Sequence, residues 1–351
     1  MNALNTLHSL VRRHLPWLER LGVAGGFTLL LAQLFSASPV YPLYWDTVLL
    51  VGVFLLLTLR PVIGYFALLA AALYPLGEIS IYLAVLVLAI ALLGQHWFIP
   101  NLGLVLLVLG TPFLNGIYLA WVVPMLGGLW WGPAAGLLAG LFGALWGKIL
   151  FGLIGLSPDW VTLAGLYPDL APTLLRFDGL TSWQVLELLA APFLVNSTST
   201  LYHLLQISIW AFIGWLIGRL SLEDQIQYNR PRSTLALVIA GVLALGSFQF
   251  LLSAWIGSAD PTQALLDNLL PNALLALFAA SLAETLLFFL EYPWRAPIST
   301  LTASAAPHPL PRGQETAHSS PSHLASVEPS ASPQNKLEKD KEDPLIMIEL
   351  D

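Results

Sequence analysis

The chain has 351 residues, of which 57% are hydrophobic and only 10% are charged, and its mean hydropathy is +0.74. A soluble domain carries roughly 25% charged residues, so this composition excludes an ordinary soluble protein and indicates an integral membrane protein. Cysteine is absent and the formal net charge is −7, which excludes thiol chemistry and argues against nucleic acid as a partner.

Apolar stretches follow one another between Leu21 and Leu290, most of them near the length that crosses a bilayer. Several are shorter, and prolines such as Pro61 and Pro112 interrupt them, so some neighbouring pairs are either thin spans or re-entrant hairpins. The sequence predicts an all-α fold, a polytopic integral membrane helical bundle of eight to ten transmembrane helices whose first partner is the lipid bilayer. The predicted helices cover 21–37, 46–59, 61–77, 79–94, 101–114, 116–131, 133–155, 200–219, 234–257 and 265–291.

The distribution of Lys and Arg predicts the orientation, because cytoplasmic segments collect both residues. With a cytoplasmic N-terminus and the hairpin at Arg60 spanning, all but two of the 14 Lys and Arg residues fall inside, the exceptions being Arg176 and Lys148. Each uncertain helix pair preserves parity, so both termini are cytoplasmic in a multi-pass protein of the inner (plasma) membrane. The predicted parts are a cytoplasmic N-terminal segment 1–20, a transmembrane domain 21–295, an external segment 156–199, a cytoplasmic loop 220–233 and a cytoplasmic tail 296–351.

Glycines recur at helical spacing in the helix predicted over 133–155 and at the residue before it, and they share one narrow arc of its surface. In lipid, close approach through small residues is a main source of helix–helix contact energy. This face predicts either packing against a neighbouring helix or a groove for a flat ligand. The helix-packing residues are Gly132, Gly136, Gly140, Gly143 and Gly147.

Lys148 follows this face on a different flank of the same helix, about 10 Å from its external end. A charge at mid-depth costs at least about 2.5 kcal/mol on insertion scales, so we expect a partner or a water-filled cavity unless the side chain snorkels to the surface. Glu78, Asp159 and Glu187 are the acids predicted near the external side.

The external segment 156–199 is too apolar for a solvated linker and is predicted to lie against the outer surface. Thr181 and Gln184 have the spacing of a capping box, which begins a short helix that Pro192 ends. Asn196 then caps the next span and directs the free N–H groups of that helix outward. The segment is either a lid over an outward-facing site or an ordinary interfacial helix.

The tail after residue 295 is rich in Ser, Pro, Ala and charge, which predicts disorder. Its last nine residues, DPLIMIELD at 343–351, place four apolar side chains between acids. Such a peptide is suited to docking on a soluble cytoplasmic protein, the alternative being an idle end.

Catalytic and metal motifs are not evident in the sequence, so it predicts neither an enzyme nor a cofactor. His96 and His203 are predicted on opposite sides of the membrane, which argues against a metal site. Trp183, in the external segment, is placed to stack on a ligand. The predicted ligand-binding residues are Lys148, Trp183, Asn196 and His203.

The stretch PMLGGLWWGPAAGLLAGLFGALWG at 124–147 resembles the glycine-rich helix of substrate-binding components of energy-coupling-factor transporters. It is also similar to the small membrane subunit of the bacterial rod-shape complex. WAFIGWLIGRL at 210–220 and LLPNALLALFAASL at 269–282 extend the resemblance over about 101–291. The resemblance implies a helical membrane protein that binds a small molecule and docks to a transporter partner subunit.

The predicted function is accordingly a small-molecule binding or transport component without catalytic activity. The alternative is a membrane scaffold or sensor that recruits protein partners through its external segment and its tail.

Overall fold

A computed structural model shows the fold of one compact unit, Met1–Trp294. Every regular element in the described residues is helical, which confirms the predicted all-α fold. The tail 296–351, with the peptide 343–351, and residues 224–229 of the loop 220–233 lie outside the described residues. The structure describes residues 2–156, 158–194, 196–223, 230–256 and 265–291.

Twelve α-helices follow one another along the described chain, and short turns of other helical types precede α10 and α12. The helices are α1 (Asn2–Ala37), α2 (Trp45–Leu59), α3 (Pro61–Ile79), α4 (Ile81–Phe98), α5 (Leu102–Asn115), α6 (Val122–Trp131), α7 (Pro133–Ile154), α8 (Leu170–Leu175), α9 (Ser182–Ala190), α10 (Ser197–Ser221), α11 (Arg230–Ile256) and α12 (Leu270–Glu291).

Seven helices in the described ranges are long and apolar enough to cross a bilayer: α1, α3, α4, α7, α10, α11, and α12 with the turn before it. The three shorter apolar helices are α2, α5 and α6. Large apolar side chains such as Leu93 and Trp255 point outward, being 86% and 84% exposed, as expected for a surface in contact with lipid. The chain is a polytopic membrane bundle.

Helices α7 and α10 pack with their backbones in contact, because glycines leave no side chain between them. A methyl group on Gly136 would collide with the carbonyl oxygen of Gly214. A methyl group on Gly140 would lie 2.8 Å from the backbone nitrogen of Ala211, closer than real Cβ atoms approach. The contact therefore depends on the absence of side chains at these positions.

The remaining glycines of the predicted face have different neighbours. A methyl group on Gly143 would lie 2.9 Å from Oγ1 of Thr111 on α5, and one on Gly147 would collide with the indole of Trp160. Gly132 precedes α7 with φ of 85°, and nothing lies within 4 Å of the position its Cβ would take. Its left-handed backbone joins α6 to α7, a geometry that glycine adopts without strain.

The helix predicted over 116–131 begins six residues late, with α6. Tyr118 has φ of 59°, which interrupts the helical path. The backbone carbonyl of Asn115 accepts a hydrogen bond from the N–H of Gly165 at 3.0 Å, and its side-chain amide donates to the carbonyl of Leu163. In a continued helix the carbonyl of Asn115 would accept from the N–H of Leu119, but here it accepts from Gly165 and Tyr118.

Residues 155–196, described except at 157 and 195, are called the connecting segment below, since they join α7 to α10. The segment contains α8 and α9. Its side chains Leu174, Phe177 and Val185 are buried in one apolar cluster with Leu153 of α7. This packing is consistent with the prediction that the segment lies against the helices. Burying these apolar side chains is more favourable than leaving them in water.

Both helix caps predicted around the connecting segment are confirmed. Oε1 of Gln184 accepts a hydrogen bond from the backbone N–H of Thr181 at 2.9 Å and completes a capping box at the start of α9. Pro192 lies in the short turn that follows α9. Oδ1 of Asn196 accepts from the N–H of Ser199 at 2.7 Å and caps α10.

Candidate functional site

Lys148 on α7 is completely buried, and its ammonium group is surrounded by hydrogen-bond acceptors. Nζ donates to the backbone carbonyl of Pro158 at 2.6 Å, lies 3.1 Å from Nδ1 of His203, and donates to Oε1 of Gln206. A protonated lysine has three N–H donors and no acceptor, so three acceptors match the charged form. The side chain is therefore held inside the bundle rather than snorkelling to the surface.

Asp159 supplies the opposite charge. Its Oδ1 atom accepts hydrogen bonds from the backbone N–H of Val161 at 3.0 Å, from the hydroxyl of Tyr202 at 2.9 Å and from Nε2 of Gln206 at 2.7 Å. Gln206 thus bridges the two charges, accepting from Lys148 and donating to Asp159. A buried cation and a buried carboxylate connected in this way compensate each other while all the bridging bonds are made.

The hydrogen bonds around His203 define which tautomer of its ring fits the network. To accept from the ammonium of Lys148 at Nδ1, the ring must carry its proton on Nε2, which lies 3.1 Å from the hydroxyl oxygen of Ser199. The ring also meets Tyr202 and Phe193 edge to face, with centroids 5.6 Å and 6.2 Å apart. Both ring nitrogens of His203 are therefore engaged, and two aromatic rings pack against the imidazole.

The spacing of the polar residues on α10 explains how one helix contributes so many of them. Residues three and four apart lie on the same helix face. The glycine contact that holds α10 against α7 lies on α10 one to two turns after Gln206. The polar face of α10 consists of Ser199, Tyr202, His203 and Gln206.

Trp160 fixes the connecting segment over this site. Its indole stacks on Trp210 of α10, with ring centroids 4.7 Å apart, and its Nε1 donates to the carbonyl of Ala144 at 3.2 Å. It also fills the space beside Gly147. Because Trp160 follows Pro158 and Asp159 directly, its packing holds both of their contacts in place.

The structure brings together two of the four predicted ligand-binding residues, Lys148 and His203. Asn196 lies one turn before Ser199 and acts through the cap of α10, without a direct bond to Lys148. Trp183 lies on α9, is 73% exposed and contributes no contact to the network. A solute enclosed at Lys148 would therefore not stack on Trp183 in this conformation.

Four side chains of the network were not predicted as site residues: Asp159, Ser199, Tyr202 and Gln206. Asp159 had been one of three acids predicted near the external side as partners for Lys148, and in the structure Gln206 links it to Lys148. The signal for the other three was the helical spacing of positions 199, 202, 203 and 206, which marks a polar stripe along an otherwise apolar span. Hydrogen-bond partners across helices cannot be derived from spacing alone.

The network buries both of its charged groups, since Lys148 is 0% exposed and Asp159 is 8% exposed. The ammonium of Lys148 is therefore out of contact with solvent in this structure. Within the described ranges, no three His, Asp or Glu side chains are grouped closely enough to hold a metal ion.

Compared with protein-family models, curated proteins and solved structures, the chain matches none.

Proposed function

We propose that this multi-pass protein is the small-molecule-binding component of a transport system and has no catalytic activity of its own. One observation carries the proposal: a fully buried lysine within a membrane span is held by groups from the segment that connects two spans. An ionisable residue buried in a bundle is expensive to maintain, and it commonly marks the path or site of a solute.

The ligand that this arrangement favours is a small molecule with an anionic group, a carboxylate or a phosphate. In the closed state, Pro158 contacts Lys148 directly and Asp159 is linked to it through Gln206. An anionic group could replace both contacts when the connecting segment swings away. His203 and Gln206 would stay on α10 as the remaining hydrogen-bonding partners.

The orientation belongs to the same proposal. We place the connecting segment outside the cell and both termini in the cytoplasm, as the distribution of Lys and Arg favours. The membrane is then the inner (plasma) membrane, and the solute approaches from outside. The resemblance of residues 101–291 to substrate-binding components of energy-coupling-factor transporters supports a further step, in which a partner subunit supplies the energy.

The test is the thermal stability of the purified protein in detergent with a panel of small carboxylates and phosphates. A solute at about one hundred times its Kd stabilises the folded state by about 2.7 kcal/mol, which is measurable as a higher unfolding temperature. We expect Lys148→Met to abolish this response. Arg176→Met, which removes an exposed cation of the connecting segment, should retain it. An equal response in Lys148→Met and the wild type would contradict a binding role for Lys148.

The alternative function is a scaffold or sensor, and one observation favours it: every proton of the Lys148 ammonium already has an acceptor within the protein. The network would then hold the connecting segment permanently against α7 and α10. Copurification with a nucleotide-hydrolysing module would support transport. Absence of any solute response, together with a soluble partner lost on deletion of 343–351, would support the scaffold.

A further inference from the structure

Five buried polar atoms on α11 and α12 have no hydrogen-bond partner among the described residues. One is the hydroxyl oxygen of Ser281, farther along α12. The other four are both amide atoms of Gln249, the hydroxyl oxygen of Ser253 and Oδ1 of Asn272. Gln249 is 0% exposed, and the other two residues are each 1% exposed. Buried polar groups in native proteins are nearly always satisfied, and inside a membrane the cost of leaving them unpaired is greatest.

Helix register places these side chains in one region. Ser253 follows Gln249 by one turn, so both leave α11 on the same face. Consecutive helices joined by a short connection run antiparallel, and α11 packs against α12. Gln249 lies near the end of α11 and Asn272 lies near the start of α12, so in an antiparallel pair the two amides lie towards the same end of both helices.

The region adjoins the network around Lys148. Ser253 lies beside Tyr202 of α10, whose hydroxyl donates to Asp159 at 2.9 Å. Trp210, also on α10 and in the same cluster as Leu245, has a buried Nε1 that finds no acceptor within the described chain. Unsatisfied polar atoms thus lie on α11 and on two helices near it, α10 and α12, each of which packs against α11.

We propose that Gln249, Ser253 and Asn272 line a hydrated pocket between α10, α11 and α12, a second polar site whose ligand is water. A buried water typically makes about three hydrogen bonds, and this site offers an amide donor together with carbonyl and hydroxyl oxygens. The pocket extends the polar interior from Asp159 through Tyr202 and Ser253 into the bundle. It does not depend on Lys148 binding a solute.

The experiment uses single cysteines, since the chain contains none of its own. Ser253→Cys and Gln249→Cys report on the pocket. Leu245→Cys, at a position of the same helix that is also 0% exposed, is the matched apolar control. The full-length protein in detergent is treated with methanethiosulfonate ethylammonium, and the modified fraction is followed by mass spectrometry. Ser253→Cys is nearly isosteric, and an unchanged unfolding temperature verifies its fold.

We expect the thiols at 253 and 249 to react at least about tenfold faster than the thiol at 245, because a thiolate forms readily only where water reaches it. Equally slow modification at all three positions, in folded protein, would show a dry interface and overturn the proposal. Equally fast modification at all three would also overturn it, since general opening of the bundle would then explain the reaction. Lys148 is unchanged in these variants, so their outcome is independent of the solute test.

Discussion

At the scale of single residues, the amine of Lys148 is surrounded by hydrogen-bonding groups. The ammonium has three acceptors, and Gln206 connects it to the carboxylate of Asp159. Such a pair is weak evidence for stability as a whole, because both charges had to be removed from water. Removing one partner is different, since it leaves the other charge buried and uncompensated.

A double-mutant cycle between Lys148→Met and Asp159→Asn measures this coupling. Lys148→Met alone should lower the free energy of unfolding by about 3–5 kcal/mol, the usual cost of breaking a buried pair. The double variant should lose less than the sum of the two single variants, by about 0.5–3 kcal/mol. Unfolding in mixed detergent and SDS measures all four proteins. Strictly additive losses would mean that the two charges do not interact.

The sequence predicted the residues of the site where the chemical type alone was informative. A lysine inside a span is conspicuous, and His203 is a polar group near the end of the next long span. Gln206 was not predicted, because a neutral amide carries no charge that demands a partner, and its role as a bridge depends on how α7 and α10 are placed. Trp183 was singled out for its ring, but its helix presents that ring outward.

At the scale of elements, the contact between α7 and α10 positions the site. Gly136 and Gly140 let the backbones of α7 and α10 touch. Farther along α7, this contact brings Lys148 within hydrogen-bond distance of Gln206 on α10. With little hydrophobic drive between helices in lipid, this contact depends on van der Waals packing of closely spaced backbones. A side chain inserted there separates the helices and the groups they carry.

Gly140→Ala should destabilise the protein by about 1–3 kcal/mol, the usual cost of overpacking, because its methyl group would lie 2.8 Å from the nitrogen of Ala211. Gly110→Ala on α5 is the matched control, with nothing within 4 Å of the new methyl group. That substitution should leave stability unchanged or raise it by about 0.5–1 kcal/mol, since alanine favours the helix. Equal unfolding temperatures for the two variants would refute backbone contact at Gly140.

Helices were predicted well where long apolar runs and caps define them, as with α7 and α10. The start of α6 was not predicted, because the break between α5 and α6 involves residues distant in the sequence. Asn115 forms hydrogen bonds with Leu163 and Gly165 there. Local patterns cannot reveal such competition. The caps at Thr181 and Asn196 were predictable, since they depend only on neighbouring residues.

At the scale of the whole molecule, the bundle has more than one buried apolar cluster. Phe27, Leu31 and Val53 belong to a cluster formed by the early helices, whereas Trp121 and Trp210 belong to another formed by later helices. Lys148 lies beside the later cluster, under the connecting segment. Residues 101–291 therefore contain the buried Lys148 and Asp159, whereas the other cluster is formed mainly by α1–α4.

The orientation is tested by single cysteines on either side of α10. Asp178→Cys, in the connecting segment, should react with a membrane-impermeant thiol reagent in intact cells. Glu223→Cys, just beyond the end of α10, should react only after lysis. The reverse pattern would invert the proposed topology. Labelling of both positions in intact cells would contradict α10 as a span.

The most direct measurement of the central claim, that the connecting segment seals a buried Lys148 inside the bundle, is the reactivity of the native lysine itself. The purified protein is treated with an amine-acetylating reagent in mild detergent and, separately, after unfolding in SDS, and acetylation at Lys148 is quantified by mass spectrometry. We predict strong protection in the folded wild type and loss of much of that protection in Asp159→Asn. Acetylation of Lys148 in the folded wild type as fast as in the unfolded chain would contradict the account.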